Sequence, residues 1–163
     1  MENEKADGRL PQQFGKFGES LVMFWMGQTL GYSVALVDHV GADIIASGEN
    51  GKILAVSVKS RIFKKDDPST VFDHGNIEKL RYFADKFECI PAVAFVFIDK
   101  GGKCIDVYLV ELELFEKLCK EKKSGFSAVK EGLRINNDPK KHAMLSDENI
   151  KYLRLTTETS LLR

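Results

Sequence analysis

A chain of 163 residues, 44% of them hydrophobic, is long enough to bury one real core and too apolar for intrinsic disorder. Its 24 basic and 24 acidic residues leave no formal net charge, which weighs against a protein that coats nucleic acid non-specifically. The longest apolar run, Ile90 to Ile98, is too short to span a bilayer, and the polar N-terminus carries no signal-peptide pattern.

Cys89, Cys104 and Cys119 form no CxxC pair. Their odd number and wide spacing point to reduced thiols in a cytoplasmic protein, not to a disulfide frame or a zinc site. In chain order, residues 1–12 read as a loose arm ending at Pro11. The pattern then predicts a helix over Phe14 to Leu30, stopped by Gly31. Every residue from Leu21 to Met26 is apolar, so this helix should be largely buried, Trp25 included. Tyr32 to Val40 and Asp43 to Ser47 read as strands. Glu49-Asn50-Gly51-Lys52 carries the Asn-Gly signature of a tight hairpin, leading into a strand over Ile53 to Ser60.

Residues 61–75 read as a polar loop. Asn76 is the expected cap of a helix through Phe87, with Ile77, Leu80, Phe83, Ala84 and Phe87 on one stripe. Ala92 to Ile98 suggests a strand buried on both faces. Lys100 to Lys103 is a turn, Ile105 to Val110 a strand and Leu112 to Lys122 a helix. Gly125 to Pro139 is ambiguous, Ser146 is a candidate cap for a short helix, and Tyr152 to Thr156 is a candidate last strand. The order predicts a single α/β domain over residues 1–163, a mixed sheet with helices on both sides and the second helix as a crossover.

Alternation along the strand places Ile53, Ala55, Ser57 and Lys59 on one face and Leu54, Val56 and Val58 on the other. An Asp and a Lys on neighbouring strands, beside the helical Glu19, make a metal-plus-cation cluster suited to phosphodiester hydrolysis. Each residue also has a plainer reading: Glu19 as an acid favoured by the helix dipole, Asp43 as a turn residue, Lys59 as an edge-strand guard. The run Lys59, Arg61, Lys64 and Lys65 is either a solvated loop or a meeting point for phosphate. His39, His74 and His142 are scattered; His74, in Asp73-His74-Gly75-Asn76, lies nearest the expected site. No P-loop, GxGxxG or GxSxG is present.

The strings Gly15-Lys16-Phe17-Gly18-Glu19, Gly41-Ala42-Asp43-Ile44-Ile45-Ala46 and Gly51 to Ser60, followed by the helix from Ile77 and its apolar strand, resemble the core of the PD-(D/E)XK nuclease superfamily. The layout is similar to that of archaeal Holliday junction resolvases and restriction-endonuclease-like proteins, over roughly residues 14–112. The resemblance implies a restriction-endonuclease-like α/β fold, with a mixed central sheet flanked by helices. Asp43 would be the central ligand of Mg²⁺, or Mn²⁺ as substitute, and Glu19 would bind the same or a second ion. The Val58 backbone carbonyl would complete the site, and Lys59 would assist the attacking water and stabilise charge on the phosphate.

Ser57 belongs to the site by position but departs from the family, which usually has Glu, Asp or Gln there. Three explanations stand: Asp73 or Glu78 supplies the missing acid, one metal held by Asp43 and Glu19 suffices, or catalysis is lost and binding kept. The expected function is a metal-dependent DNA endonuclease of repair, recombination or defence, working as a homodimer on DNA, branched DNA included. Lys16, Arg61, Lys64 and Lys65 would be its nucleic-acid contacts. The alternatives are a degenerate binding or assembly module on the same fold and an RNA-processing nuclease.

Overall fold

The computed structural model describes residues 9–64, 66–138, 140 and 150–156. Helix α1 (Arg9–Gln28) leads into β1 (Ser33–His39), β2 (Ala42–Ser47) and β3 (Ile53–Phe63), and β4 (Ser69–Asp73) runs directly into α2 (His74–Lys86). β5 (Ile90–Asp99), β6 (Cys104–Glu111), α3 (Leu112–Lys120), β7 (Phe126–Val129), β8 (Gly132–Asn136) and β9 (Lys151–Thr156) follow. Six strands make the main sheet in the order β1-β2-β3-β5-β6-β9, and β4-β8-β7 make a small antiparallel one. Only β3 and β5 run parallel, joined by a crossover that contains β4 and α2; the other main-sheet pairs are antiparallel. The expected mixed sheet with helices on both sides is the fold observed.

Strand alternation sorts the core into two layers. Leu54, Val56 and Val58 face α1, where Val22, Trp25 and Met26 are buried with Ile44, Ala94 and Val96. Ala55, Val93, Phe95 and Tyr108 face the other way, towards α2, α3 and the small sheet. β5 is buried over six successive residues, Ala92 to Phe97, because both layers cover it. The buried stripe of α2 is Ile77, Leu80, Phe83 and Ala84, as its spacing predicts; Phe87, expected on the same stripe, is the C-cap after the helix and is 45% exposed. No helix among the described residues is long and apolar enough to cross a membrane.

Four local expectations are corrected. α1 begins at Arg9, so the N-terminal arm is helical from that residue. β2 and β3 are joined by a five-residue loop, Gly48–Lys52, in which Gly48 N–H donates to Lys52 O at 2.9 Å and Lys52 N–H to Asn50 Oδ1 at 3.0 Å; Asn50-Gly51 does not make a two-residue turn. β3 continues to Phe63 and β4 occupies residues 69–73, so 61–75 is not one loop. Asp73 caps α2, its carboxylate accepting the Asn76 N–H at 2.8 Å; Asn76 is the recipient of the cap and lies inside the helix. The ambiguous stretch after Gly125 is the β7–β8 hairpin, and β9 occupies the last predicted strand. Lys65, His142 and the helix expected at Ser146 lie outside the described residues.

β9 is held by a buried acid that the sequence pattern does not reveal. Asp106 on β6 is fully buried and accepts from Arg154 Nε at 2.8 Å and Nη2 at 3.0 Å, from Tyr152 Oη at 2.6 Å and from Asn137 Nδ2 at 3.0 Å. Burial alone would raise this carboxyl, but the hydrogen bonds from Arg154, Tyr152 and Asn137 outweigh it and hold the group below its ordinary value.

Candidate functional site

The site lies where the sheet opens. β3 pairs with β5 from Leu54 to Phe63, but with β2 only from Ile53 to Val56. Beyond Val56, no main-sheet strand among the described residues pairs with the β2 side of β3. Ile44 pairs with Val56, so the next step along the two antiparallel strands sets Asp43 across from Ser57. There the Asp43 side chain takes over the ladder: its Oδ2 accepts the Val58 N–H at 2.6 Å. A backbone donor at the end of the pairing is thereby satisfied, and the carboxylate is fixed at the mouth of the notch.

The turn before Asp43 is pinned from the other side. Gly41 has φ +108°, a conformation that favours glycine, and a Cβ there would sit 2.3 Å from the Lys79 carbonyl oxygen of α2. The β1–β2 turn therefore rests directly on the α2 backbone.

Glu19 comes from α1, on the opposite face of the sheet from Lys59, and the notch lets it feel the residues beyond. Burial pushes its carboxyl above the ordinary value and the Asp43 charge adds to the rise, while Lys16 and Lys59 oppose it. Glu19, Asp43, Lys59 and Lys16 thus share one electrostatic neighbourhood. The Lys59 ammonium lies 5.7 Å from the centre of the Phe72 ring, an aromatic floor supplied by β4. Ser57 is 5% exposed, on the Lys59 face of β3.

The other expected site residues are placed as follows. The Asp73 carboxylate is engaged in capping α2 through the Asn76 N–H and side-chain amide; these hydrogen bonds, chiefly the backbone one, hold it below its ordinary value, with Lys59 contributing. Glu78 is exposed and lines a hollow of about 300 Å³ with His39, Val40, Lys79 and Tyr82. Among the described residues, no three His, Cys, Asp or Glu side chains are grouped as metal ligands. Arg61 is paired with Asp67 at 2.6 Å, Lys64 and Lys16 are exposed, and His74 Nε2 lies 3.1 Å from the Lys130 carbonyl oxygen.

Sequence reasoning missed Phe72, the Gly41–Lys79 contact and a second close approach, Gly18 of α1 against Ser60 of β3. The glycines stand out in the sequence; the surfaces they meet do not. Chemically, two carboxylates that repel one another beside an ammonium offer hard oxygen ligands to a divalent cation and a positive group to an anion.

No family model matches the chain, and no curated protein matches it in sequence. Among solved structures, the Holliday junction resolvase Hjc of the archaeal hyperthermophile Archaeoglobus fulgidus matches with a TM-score of 0.52 and 15% identity, over 76% of this chain and 84% of the resolvase. A restriction endonuclease in complex with substrate DNA matches with a TM-score of 0.41 and 15% identity, over 96% of this chain and 75% of that one. The resolvase match shows a shared restriction-endonuclease-like fold.

Proposed function

We propose that the protein is a metal-dependent endonuclease that hydrolyses DNA backbone phosphodiesters in repair, recombination or defence. What supports this reading is the Asp43 carboxylate fixed at the notch by the Val58 N–H, on a restriction-endonuclease-like fold, with the charges of Asp43 and Lys59 both acting on Glu19.

The donor set fits Mg²⁺ or Mn²⁺. Two carboxylates and the Val58 carbonyl are hard oxygen ligands, and a cation that keeps several waters needs no larger protein cage. Asp43 would be the central ligand in this reading, its carboxylate held in place by the Val58 N–H on Oδ2. Glu19 would bind the same ion or a second one. A bound cation supplies Lewis acidity towards the phosphate and lowers the pKa of its water. The protein's own part is orientation and charge. The Asp43–Val58 hydrogen bond holds the carboxylate, and Phe72 supports the Lys59 ammonium where it stabilises negative charge developing on the phosphate oxygens. Lys16, Arg61, Lys64 and Lys65 are the proposed backbone contacts, each worth part of a salt-dependent affinity. Two copies acting as a homodimer would serve two strands of one DNA, and light scattering at micromolar concentration tests that.

The second reading, a binding or assembly module without catalysis, is favoured by one observation: Ser57 is buried beside Asp43, and no third acid joins the pair among the described residues. Cleavage of plasmid, branched DNA and RNA with Mg²⁺ or Mn²⁺ separates the readings. Asp43→Ala and Lys59→Ala should each slow DNA cleavage at least about a hundredfold, the scale of one lost electrostatic stabiliser. Equal cleavage by the parent and both variants removes the proposal. Binding without cleavage by the parent installs the second reading, and preference for RNA makes the protein an RNA-processing nuclease.

A further inference from the structure

Gly18 precedes Glu19 and lies where α1 packs tightly against β3. A Cβ on Gly18 would lie 1.8 Å from the Ser60 Oγ, 3.1 Å from the Ser60 Cβ and 3.6 Å from the Val96 Cγ2. Ser60 Oγ is itself unusual: it is buried and has no hydrogen-bond partner among the described residues. Folded proteins seldom leave a buried hydroxyl unpaired, so its placement calls for a reason. Ser60 follows Lys59 on β3, and the hydroxyl fills the hollow that Gly18 leaves in α1.

From this contact we propose that Gly18 and Ser60 form a seat that sets the depth of α1 on β3, and hence the reach of Glu19 into the notch. Both are positioning residues; neither touches substrate. The inference rests on the metal-site reading of Glu19 and Asp43. α1 is a continuous helix of 20 residues, so an outward displacement at Gly18 carries Glu19 with it. A methyl at position 18 overlaps the Ser60 hydroxyl outright. Turning that hydroxyl away still leaves two Cβ atoms 3.1 Å apart, inside normal contact distance. Relief comes from the hydroxyl turning away and α1 and β3 separating by a few tenths of an ångström, which draws Glu19 back from the notch. Gly15, on the same helix, has nothing within 4 Å of its virtual Cβ, so an alanine there changes helix propensity without disturbing the seat.

The test compares the parent with Gly18→Ala, Ser60→Gly, the Gly18→Ala/Ser60→Gly double variant, Gly15→Ala and Asp43→Ala. Mn²⁺ affinity is read by electron paramagnetic resonance of the free ion, with thermal unfolding as the measure of fold. Gly18→Ala should weaken Mn²⁺ binding about tenfold or more, the scale for disturbing a group that orients a ligand. The double variant should return to within about threefold of Ser60→Gly, and Gly15→Ala should bind like the parent. Parent-like affinity in Gly18→Ala, or a loss that Ser60→Gly does not repair, overturns the seat. Should Gly18→Ala fail to fold, the double variant should fold and bind; failure of both overturns it as well. If the parent binds Mn²⁺ no better than Asp43→Ala, the metal reading has failed. The seat is then decided by the ¹³C chemical shift of the Glu19 carboxyl. A shift altered in Gly18→Ala and restored in the double variant upholds it, and one unchanged throughout overturns it.

Discussion

Replacing Gly41 with alanine should be among the most damaging single-methyl changes in this chain. The backbone there has φ +108°, and an L-residue in a left-handed conformation costs about 1–2 kcal/mol. The added Cβ would also lie 2.3 Å from the Lys79 oxygen, 2.8 Å from the Lys79 carbonyl carbon and 3.2 Å from the Phe83 Cβ. The first two are helix backbone atoms, so the turn must lift by about 1 Å, with an overpacking cost of about 1–3 kcal/mol. The sum is about 2–5 kcal/mol, or a fall in melting temperature of about 4–20 °C for a chain of this size. Gly51→Ala separates the two contributions: φ is +77°, but nothing lies within 4 Å of its virtual Cβ. It should lose only the conformational part, about 1–2 kcal/mol. Calorimetry of the parent and both variants checks the difference. Amide exchange at Val58 checks the local consequence, because lifting the turn withdraws the Asp43 carboxylate that accepts its N–H. Equal melting temperatures for the two variants would refute the close-approach argument.

Three further perturbations probe the charges. Glu19→Gln should raise the melting temperature at neutral pH. Burial and the Asp43 charge hold this carboxyl above its unfolded value, so its favourable contribution is complete only below the unfolded value near pH 4 and is lost as pH rises through the folded value. The variant's advantage should therefore vanish on acidification, and an unstabilised variant at neutral pH contradicts the shift. Asp106→Ala should cost about 1–3 kcal/mol by urea unfolding, because it leaves the half-buried Tyr152 hydroxyl and Asn137 amide without their acceptor. The Asp106 carboxyl is held below its unfolded value, so its contribution is complete above that value and fades as pH falls through the folded one; a loss that did not shrink in acid would disprove the linkage. Ser57→Glu should destabilise the metal-free protein, since the position is 5% exposed, and should recover on adding Mn²⁺ with about tenfold or more gain in affinity. Metal-independent stability in that variant would show that position 57 does not face the ion.

Much of the fold was legible because both periodicities are clean. The apolar stripe of α2 and the alternation of β3 assign faces directly, and the continuous apolar run of β5 signals cover on both sides. Local chemistry was less legible where two residues compete for one role. Asp73 and Asn76 both suit a helix cap, and only the path of β4 into α2 decides between them. Asn50-Gly51 has the composition of a tight turn, yet the loop closes at Gly48 and Lys52. The β7–β8 hairpin was obscured because its strands are four and five residues long, too short for alternation to establish a pattern. The candidate site was legible as residue types in order. Its three-dimensional logic was not, because Glu19 and Lys59 belong to opposite faces of the sheet, and periodicity alone would keep them apart. What unites them is the early end of the β2–β3 pairing, a register feature carried by no single residue.

Several unfavourable local features gather at this end of β3. Burial and the Asp43 charge both oppose ionisation of Glu19, Ser60 buries a hydroxyl without a partner among the described residues, and Gly41 holds a left-handed backbone against a helix carbonyl. Elsewhere a buried acid is fully met: Asp106 has hydrogen bonds on both of its oxygens. Simple substitutions such as Glu19→Gln or Ser60→Ala would relieve part of the disfavoured end. Unfavourable features that gather around candidate ligands are what a site arranged for something other than stability shows. A cation between Glu19 and Asp43 would turn their repulsion into shared attraction, and an anion beside Lys59 would balance the remaining charge. On this reasoning the notch is the end of the protein where the proposed endonuclease reading places its ligand, and the choice between that reading and a binding module turns on what position 57 can supply.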